Sequence, residues 1–129
     1  MPFSFPDHFR FADSHEYAFS DDALVRIGIS AFAVDQLGDI VFVELADQGK
    51  TLEKGETFGT IESVKAVEEV YLPFSGEIVS VNESVIDNPE LLQNDPIGEG
   101  WLVILKPESE VSITDLMTSE EYQSKVVPK

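Results

Sequence analysis

The sequence predicts a mainly β fold, a β-sandwich or flattened barrel carrying a few short helices. Two observations carry that reading. Short apolar runs with strand-like patterning recur along the chain, and turn signals separate them at frequent intervals. Helical periodicity, by contrast, is confined to brief stretches.

Residues 1–15 hold Pro2, Pro6 and several phenylalanines, and are expected to lie across the domain surface, pinned by the aromatics. Val25-Arg26-Ile27-Gly28-Ile29 alternates apolar with other residues, the period-2 pattern of a half-buried strand. Ser30 can cap a short helix in which Phe32, Val34 and Leu37 supply contacts, with Gly38 as its stop. Ile40-Val41-Phe42-Val43-Glu44-Leu45 is a continuous β-branched and aromatic run, expected as a strand buried on both faces. Gly49 and Gly55 mark turns on either side of Thr51-Leu52. Further strands are expected at 57–61, 68–72, 77–81 and 101–105. Asn88 can cap a turn with Pro89 in its first position, followed by Glu90-Leu91-Leu92. Ser112 and Asp115 have capping-box spacing ahead of Leu116 and Met117, and Thr118 and Glu121 repeat it. Residues 112–127 are therefore expected as short C-terminal helices packed on the sheet.

The chain has 129 residues, 43% of them hydrophobic, which predicts one domain over 1–129 with an ordinary core. Eight Lys and Arg stand against 25 Asp and Glu, a net charge of −17. That field repels phosphate backbones and anionic bilayers, so neither nucleic acid nor membrane is an expected partner. Basic protein surfaces suit it better, with association that weakens as salt rises. Cysteine is absent, which removes disulfides, thiolate metal sites and thiol nucleophiles. Any sulfur chemistry must come from an attached group. No apolar run approaches the ~18 residues of a membrane span. The N-terminus lacks the basic and apolar regions of a signal or transit peptide, so a bacterial-type cytoplasmic location is expected. The Asn82-Glu83-Ser84 sequon is then read as accidental.

Enzymatic chemistry of the chain's own finds little support. His8 and His15 are the only histidines and have no metal-binding spacing. No nucleophile-elbow motif is present. Gly98-Glu99-Gly100 reads as a turn and Asp87-Asn88-Pro89-Glu90 lacks an EF-hand pattern. His15 is expected to make a structural hydrogen bond.

The most informative stretch is Glu62-Ser63-Val64-Lys65-Ala66. Lys65 lies between two strand-like runs in a basic-poor region, so a hairpin reading puts it at the turn. An amine there is a reachable nucleophile on a rigid support, as covalent attachment of a swinging arm requires. A solvated lysine facing Glu62, Glu68 or Glu69 is the plain alternative, and such exposed pairs are common and weak. Gly49 and Gly76 flank the lysine as turn glycines, a weak internal repeat.

These residues belong to a larger pattern. Ser14-His15-Glu16, Ile27-Gly28-Ile29, Leu37 to Leu45, Glu62 to Ala66, Ser75-Gly76-Glu77, Val81-Asn82, Asp87 to Leu91 and Gly100-Trp101-Leu102 stand as collinear blocks. Over nearly its whole length the chain resembles the H-proteins of the glycine cleavage system. The resemblance implies a barrel-sandwich hybrid, the lipoyl/biotinyl-like fold of two sheets, with a helical C-terminus. It implies a non-catalytic carrier bearing one lipoic acid per chain, covalently bound at Lys65, with Glu62, Ser63, Val64 and Ala66 as the attachment-hairpin context. Ser14, Glu16 and Glu69 match a cleft that shelters the loaded arm. A carboxylate there, Glu16 or Glu69, is expected to bind the cationic amine of that arm where water is scarce. Glu69 stands where many members have Asp, Tyr17 where Trp is usual, and Gln36 where some have His.

The implied cycle has glycine decarboxylase (P-protein) place an aminomethyl group on the arm. Aminomethyltransferase (T-protein) removes it to tetrahydrofolate, and dihydrolipoamide dehydrogenase (L-protein) reoxidises the dithiol. Lipoate-attaching enzymes are implied as well, and the carrier is expected to be a monomer. A biotinyl carrier usually has methionine on both sides of its lysine, where this chain has Val64 and Ala66. The lipoyl domains of 2-oxoacid dehydrogenases usually read Asp-Lys-Ala. Two alternatives stay open: a lipoyl-relay protein donating lipoate to other enzymes, and a cofactor-free acidic interaction domain.

Overall fold

A computed structural model describes residues 9–12, 14–21, 24–107 and 116–126. In chain order the elements are β1 (Arg10–Phe11), β2 (Glu16–Asp21), β3 (Leu24–Ile29), α1 (Ala31–Leu37), β4 (Ile40–Leu45), β5 (Thr51–Leu52), β6 (Thr57–Ser63) and β7 (Val67–Tyr71). There follow β8 (Gly76–Val81), α2 (Glu83–Asp87), α3 (Glu90–Asn94), β9 (Val103–Pro107), β10 (Met117–Thr118) and α4 (Ser119–Val126).

Two antiparallel sheets result. One has seven strands in the order β10-β1-β2-β3-β9-β8-β5, the other three in the order β4-β6-β7. Neither closes on itself, and with the short helices this is the barrel-sandwich hybrid expected. Inward residues of both sheets form the core, among them Ile27, Val43, Ile61, Ile78, Val103 and Leu105, each fully buried. A second cluster of Phe9, Phe11, Tyr17 and Tyr122 joins the N-terminal strands to α4. Among the described residues no helix is long and apolar enough to cross a membrane.

Helix α1 follows the sequence reading closely. Ser30 caps it, its hydroxyl accepting the Ala33 N–H at 3.1 Å, and Gly38 ends it at φ +81°, where glycine is favoured. Gly49 and Gly55 also take positive φ around β5. At the C-terminus Thr118 and Glu121 form a reciprocal capping box, with N–H to side-chain distances of 2.9 and 3.0 Å.

Four expectations are corrected. The run 40–45 is an edge strand of the small sheet and is not buried on both faces, because Val41 and Phe42 are exposed. In the N-terminal segment β1 pairs with β2 and β10 and the Phe9 and Phe11 rings are buried, the anchoring by aromatics expected of it, while residues 1–8 lie outside the described set. Of the C-terminal span 112–127, residues 112–115 and 127 also lie outside it. Met117–Thr118 is a strand, because its backbone completes the ladder of β1. Asn88 does not cap with its side chain. Pro89 holds the cap position of α3, and Asn88 closes α2, a helix not anticipated, whose cap is Asn82. Gly76 starts β8 and marks a close approach of strands, since a Cβ there would lie 3.0 Å from the Pro107 Cα.

Asn82 also settles the sequon. Its side chain is buried, accepting from Ser84 N–H at 3.2 Å and donating to the carbonyls of Glu99 (2.8 Å) and Trp101 (2.6 Å).

Candidate functional site

Strands β6 and β7 pair from Thr57↔Tyr71 to Glu62↔Val67, which leaves Ser63 to Ala66 as the connection. Ser63 organises it. Its N–H donates to the Ala66 carbonyl at 2.8 Å, and its hydroxyl accepts the N–H groups of Lys65 and Ala66, both at 3.1 Å. A serine side chain thus replaces a backbone acceptor at the tightest point of the turn. The Val64 N–H donates to the Asp39 carbonyl at 3.0 Å, tying the tip to the loop before β4. That loop is held in turn by Gln93 of α3. Its amide accepts the Ile40 N–H at 3.1 Å and donates to the Asp39 carboxylate at 3.2 Å. Lys65 therefore stands exposed on a braced tip, its Cε against Gly38.

A cavity of about 270 Å³ begins one residue away, with Ala66 in its wall. Ile29, Phe32, Ile61 and Val70 give it apolar sides, while Ser14, His15, Gln36, Glu68 and Glu69 supply polar atoms. Apolar walls with a few polar groups suit a small aliphatic group reaching in from the tip.

The proposed cleft residues fall into three different settings. Ser14 borders the cavity. Glu16 is almost fully buried and lines a neighbouring depression of about 390 Å³, alongside Phe11, Tyr71 and Met117. Its carboxylate accepts from the Ser14 hydroxyl and from the Tyr71 N–H, the latter at 2.8 Å. Burial raises its pKa, and these two hydrogen bonds oppose the rise without cancelling it. Ser14, which borders both spaces, is the link between Glu16 and the cavity. Glu69 borders the cavity, but its carboxylate accepts from the Thr57 hydroxyl at 2.7 Å, and both residues belong by register to the outer face of the sheet.

Glu68 is an acid that sequence reasoning named only as a partner for Lys65 and did not place at the cavity. It pairs with the inward Ile61, which puts it on the cavity face. Strand parity from Val70 was the available signal. His15 was read as structural, and its Nδ1 does meet the Tyr122 hydroxyl at 2.6 Å. What no pattern disclosed is its backbone, at φ +81°, a conformation costing about 1–3 kcal/mol for a non-glycine residue. Hydrogen bonds from His15 N–H to Ala12 and from Ser30 N–H to His15, each 2.9 Å, hold it there. Tyr17 is fully buried against Gly28 and donates to the Pro96 carbonyl at 2.9 Å, so it lies outside the lining of this cavity. Gln36 lies within it.

The model of the glycine cleavage H-protein family matches residues 9–129. The chain belongs to the glycine cleavage H-protein family. It is 81% identical over 129 residues to the glycine cleavage system H protein of Prochlorococcus marinus strain AS9601, covering all of both chains. Identity to that of strain MIT 9515 is 67% over 128 residues, 99% of each chain. The crystal structure of a glycine cleavage system H protein from Mycobacterium marinum superposes with a TM-score of 0.85 at 36% identity, covering 93% of this chain and 97% of that one. As an H-protein family member the chain is a lipoyl carrier of the glycine cleavage system, a non-catalytic component.

Proposed function

We propose that Lys65 carries one lipoyl group per chain through an amide on its Nζ, and that the chain shuttles an aminomethyl unit between the glycine-cleavage enzymes. The observation that supports this most is the placement of an exposed lysine on a tip braced by Ser63 and Asp39, one residue from an apolar-walled cavity. When attached, the lipoyl group supplies a cyclic disulfide that takes up the aminomethyl carbon with two electrons and is later reoxidised. The protein's own residues do the rest. The turn fixes where the arm is rooted, which raises its effective concentration at a docked active site. Phe32, Ala66 and Val70 would cover the arm's apolar part, with Ser14 and Glu68 at its polar end. Glu16 acts through Ser14, which it orients. Carboxylates near that end favour an ammonium over neutral competitors.

In this reading glycine decarboxylase, aminomethyltransferase and dihydrolipoamide dehydrogenase are successive partners, and a lipoate-attaching enzyme precedes them. The residues 1–129 serve as one carrier domain, monomeric and cytoplasmic.

Intact mass and peptide mapping of protein from its native source test the reading. The expected result is one lipoyl amide at Lys65, lost in Lys65→Arg. Lipoylated protein mixed with the purified enzymes and glycine should then turn over. A Lys65 that stays bare after exposure to a lipoate-attaching enzyme overturns the carrier assignment of this residue. Loading at Lys65 without glycine-dependent turnover would favour lipoyl relay.

A further inference from the structure

The hydrogen bond that closes the hairpin fixes which way the backbone groups of β7 point. The Ser63 N–H donates to the Ala66 carbonyl at 2.8 Å, so these two form a hydrogen-bonded pair. Antiparallel pairing alternates from there. Glu68 and Val70, opposite Ile61 and Gly59, turn their N–H and C=O groups toward β6, while Val67, Glu69 and Tyr71 turn theirs away. Two contacts bear the alternation out. The Tyr71 N–H reaches outward to the Glu16 carboxylate at 2.8 Å, and the Leu72 N–H returns to the Glu56 carbonyl, just before β6, at 3.0 Å. β7 is an edge of the small sheet, and among the described residues no strand lies beyond it. The outward groups of Val67 and Glu69 therefore form an open edge, of the kind that proteins ordinarily cover or blunt.

The hollows beside Lys65 follow that strand. The cavity of about 270 Å³ has Ala66, Glu68, Glu69 and Val70 in its wall, and the depression of about 390 Å³ takes over at Tyr71 and Leu72, with Ser14 bordering both. An acyl group on Lys65 carries one amide between two apolar stretches, and that amide brings one carbonyl oxygen. The lysine stem spans about 6 Å from Cα to Nζ by ordinary bond lengths. Val67 stands about 7 Å along the strand from Lys65, and Glu69 about 13 Å. The carbonyl thus comes level with Val67 and falls short of Glu69. An apolar chain laid along the edge takes water from the Val67 N–H, and a buried N–H without an acceptor is rare in folded proteins. The arm's own carbonyl is an acceptor within reach.

We propose that the acylated arm lies along the open edge of β7 as a surrogate strand, with the Val67 N–H donating to its amide carbonyl and the dithiolane end carried on toward Tyr71 and Glu16. The inference rests on the reading that Lys65 bears the arm, and it adds a backbone contact that the lining side chains do not supply. The tether decides the occupant. A group rooted two residues away meets this edge at an effective concentration that a separate chain lacks. The register decides the donor, because Glu68 spends its N–H on β6 and Val67 does not. One hydrogen bond of ordinary strength seats the arm between enzymes and still lets each of them lift it.

The test compares the lipoylated and unmodified full chains by NMR, with intact mass establishing the loading. Exchange of the Val67 amide should slow about tenfold on lipoylation, the factor that a hydrogen bond of ordinary net strength gives. Lipoate isotope-labelled at its carboxyl carbon should show a scalar coupling across the hydrogen bond to the Val67 nitrogen and none to that of Glu69. Ile78, whose N–H donates to the Lys50 carbonyl at 2.9 Å in the other sheet, is the control and should exchange alike in both forms. Val67→Pro deletes an N–H that the ladder does not use, the edge position at which proline is tolerated. In that variant, loaded and reduced, iodoacetamide should alkylate the arm thiols several-fold faster, while Val67→Ala, which keeps the N–H, should match the parent. If thermal melts show the proline variant unfolded, the coupling in the parent decides alone. Unchanged Val67 exchange and no coupling in the loaded chain overturn the inference and leave the carrier assignment standing. Protection at Val67 that is present without lipoyl and grows with protein concentration gives the edge to a second copy and also overturns it. A Lys65 that stays bare after exposure to a lipoate-attaching enzyme overturns this inference and the carrier assignment together.

Discussion

The Ser63 hydroxyl accepts the backbone N–H of Lys65 at 3.1 Å, and it also accepts that of Ala66 at the same distance. The residue two before the lysine thereby sets the shape of the turn that presents it. Ser63→Ala removes the acceptor for both amides. The expected loss of stability is about 1 kcal/mol. Amide exchange at Lys65 and Ala66 should accelerate, lipoate attachment should slow, and Ser63→Thr, which keeps a hydroxyl, should restore both. Unchanged exchange at the two amides would show that the hydroxyl does not hold the turn.

The support for that tip extends to α3 through Gln93, which grips the Asp39–Ile40 loop whose carbonyl receives the Val64 N–H. Gln93→Leu leaves the Ile40 N–H without its side-chain acceptor, a cost of about 1–3 kcal/mol for a buried donor. Hydrogen exchange should quicken at Ile40 and Val64 and stay unaltered at Ala46, whose N–H donates to Phe58 across β4 and β6 at 2.8 Å. Equal acceleration at all three would mean general loosening and not a specific brace.

The residues of this support were unequally legible in the sequence. Ser30 and Gly38 announced α1 because capping and a left-handed stop are local demands that only a few residue types meet. The hairpin carrying Lys65 was legible because apolar runs flank a polar connection. Strand 40–45 was misread for a physical reason: a run of Ile, Val and Phe looks the same whether both faces are covered or one is left open. Likewise Glu68 and Glu69 are adjacent and identical in the sequence, and pairing with Ile61 and Thr60 sends them to opposite faces. Gln93 lies 54 residues from Asp39 and carried no local signal at all.

Glu16 yields a prediction with a definite sign. Burial lifts its carboxyl above the ordinary 4.5, so the folded chain holds that proton more tightly than the unfolded chain does. Between the ordinary and the raised value the folded state binds more protons, and this group's contribution to stability falls as pH rises. Below 4.5 it contributes no such slope. Glu16→Gln keeps an oxygen and an amide for the Tyr71 N–H and the Ser14 hydroxyl while removing the charge. Urea midpoints of the variant relative to the parent should rise with pH above 4.5 and then level off. A difference that falls with pH would indicate that the ionised form is the favoured one in the folded protein.

Tyr122 joins α4 to the cavity wall. Its hydroxyl meets His15 Nδ1 and Ser30 Oγ, each at 2.6 Å, while its ring stacks on Phe11 at a centroid distance of 4.5 Å. Burial pushes the phenol up to about 12, so it stays a neutral hydroxyl through the neutral range. Tyr122→Phe keeps the stack and removes the hydroxyl, with an expected cost of about 1–3 kcal/mol from the buried groups left without it. Because His15 lines the cavity and sits in a left-handed conformation, the loss should spread beyond α4. Backbone amide shifts should move at His15, Ser30 and Ala33 as well as along α4, with the hairpin 63–66 unmoved. Changes confined to α4 would show that the helix is only packed against the cavity wall, and that His15 is held by its backbone hydrogen bonds alone.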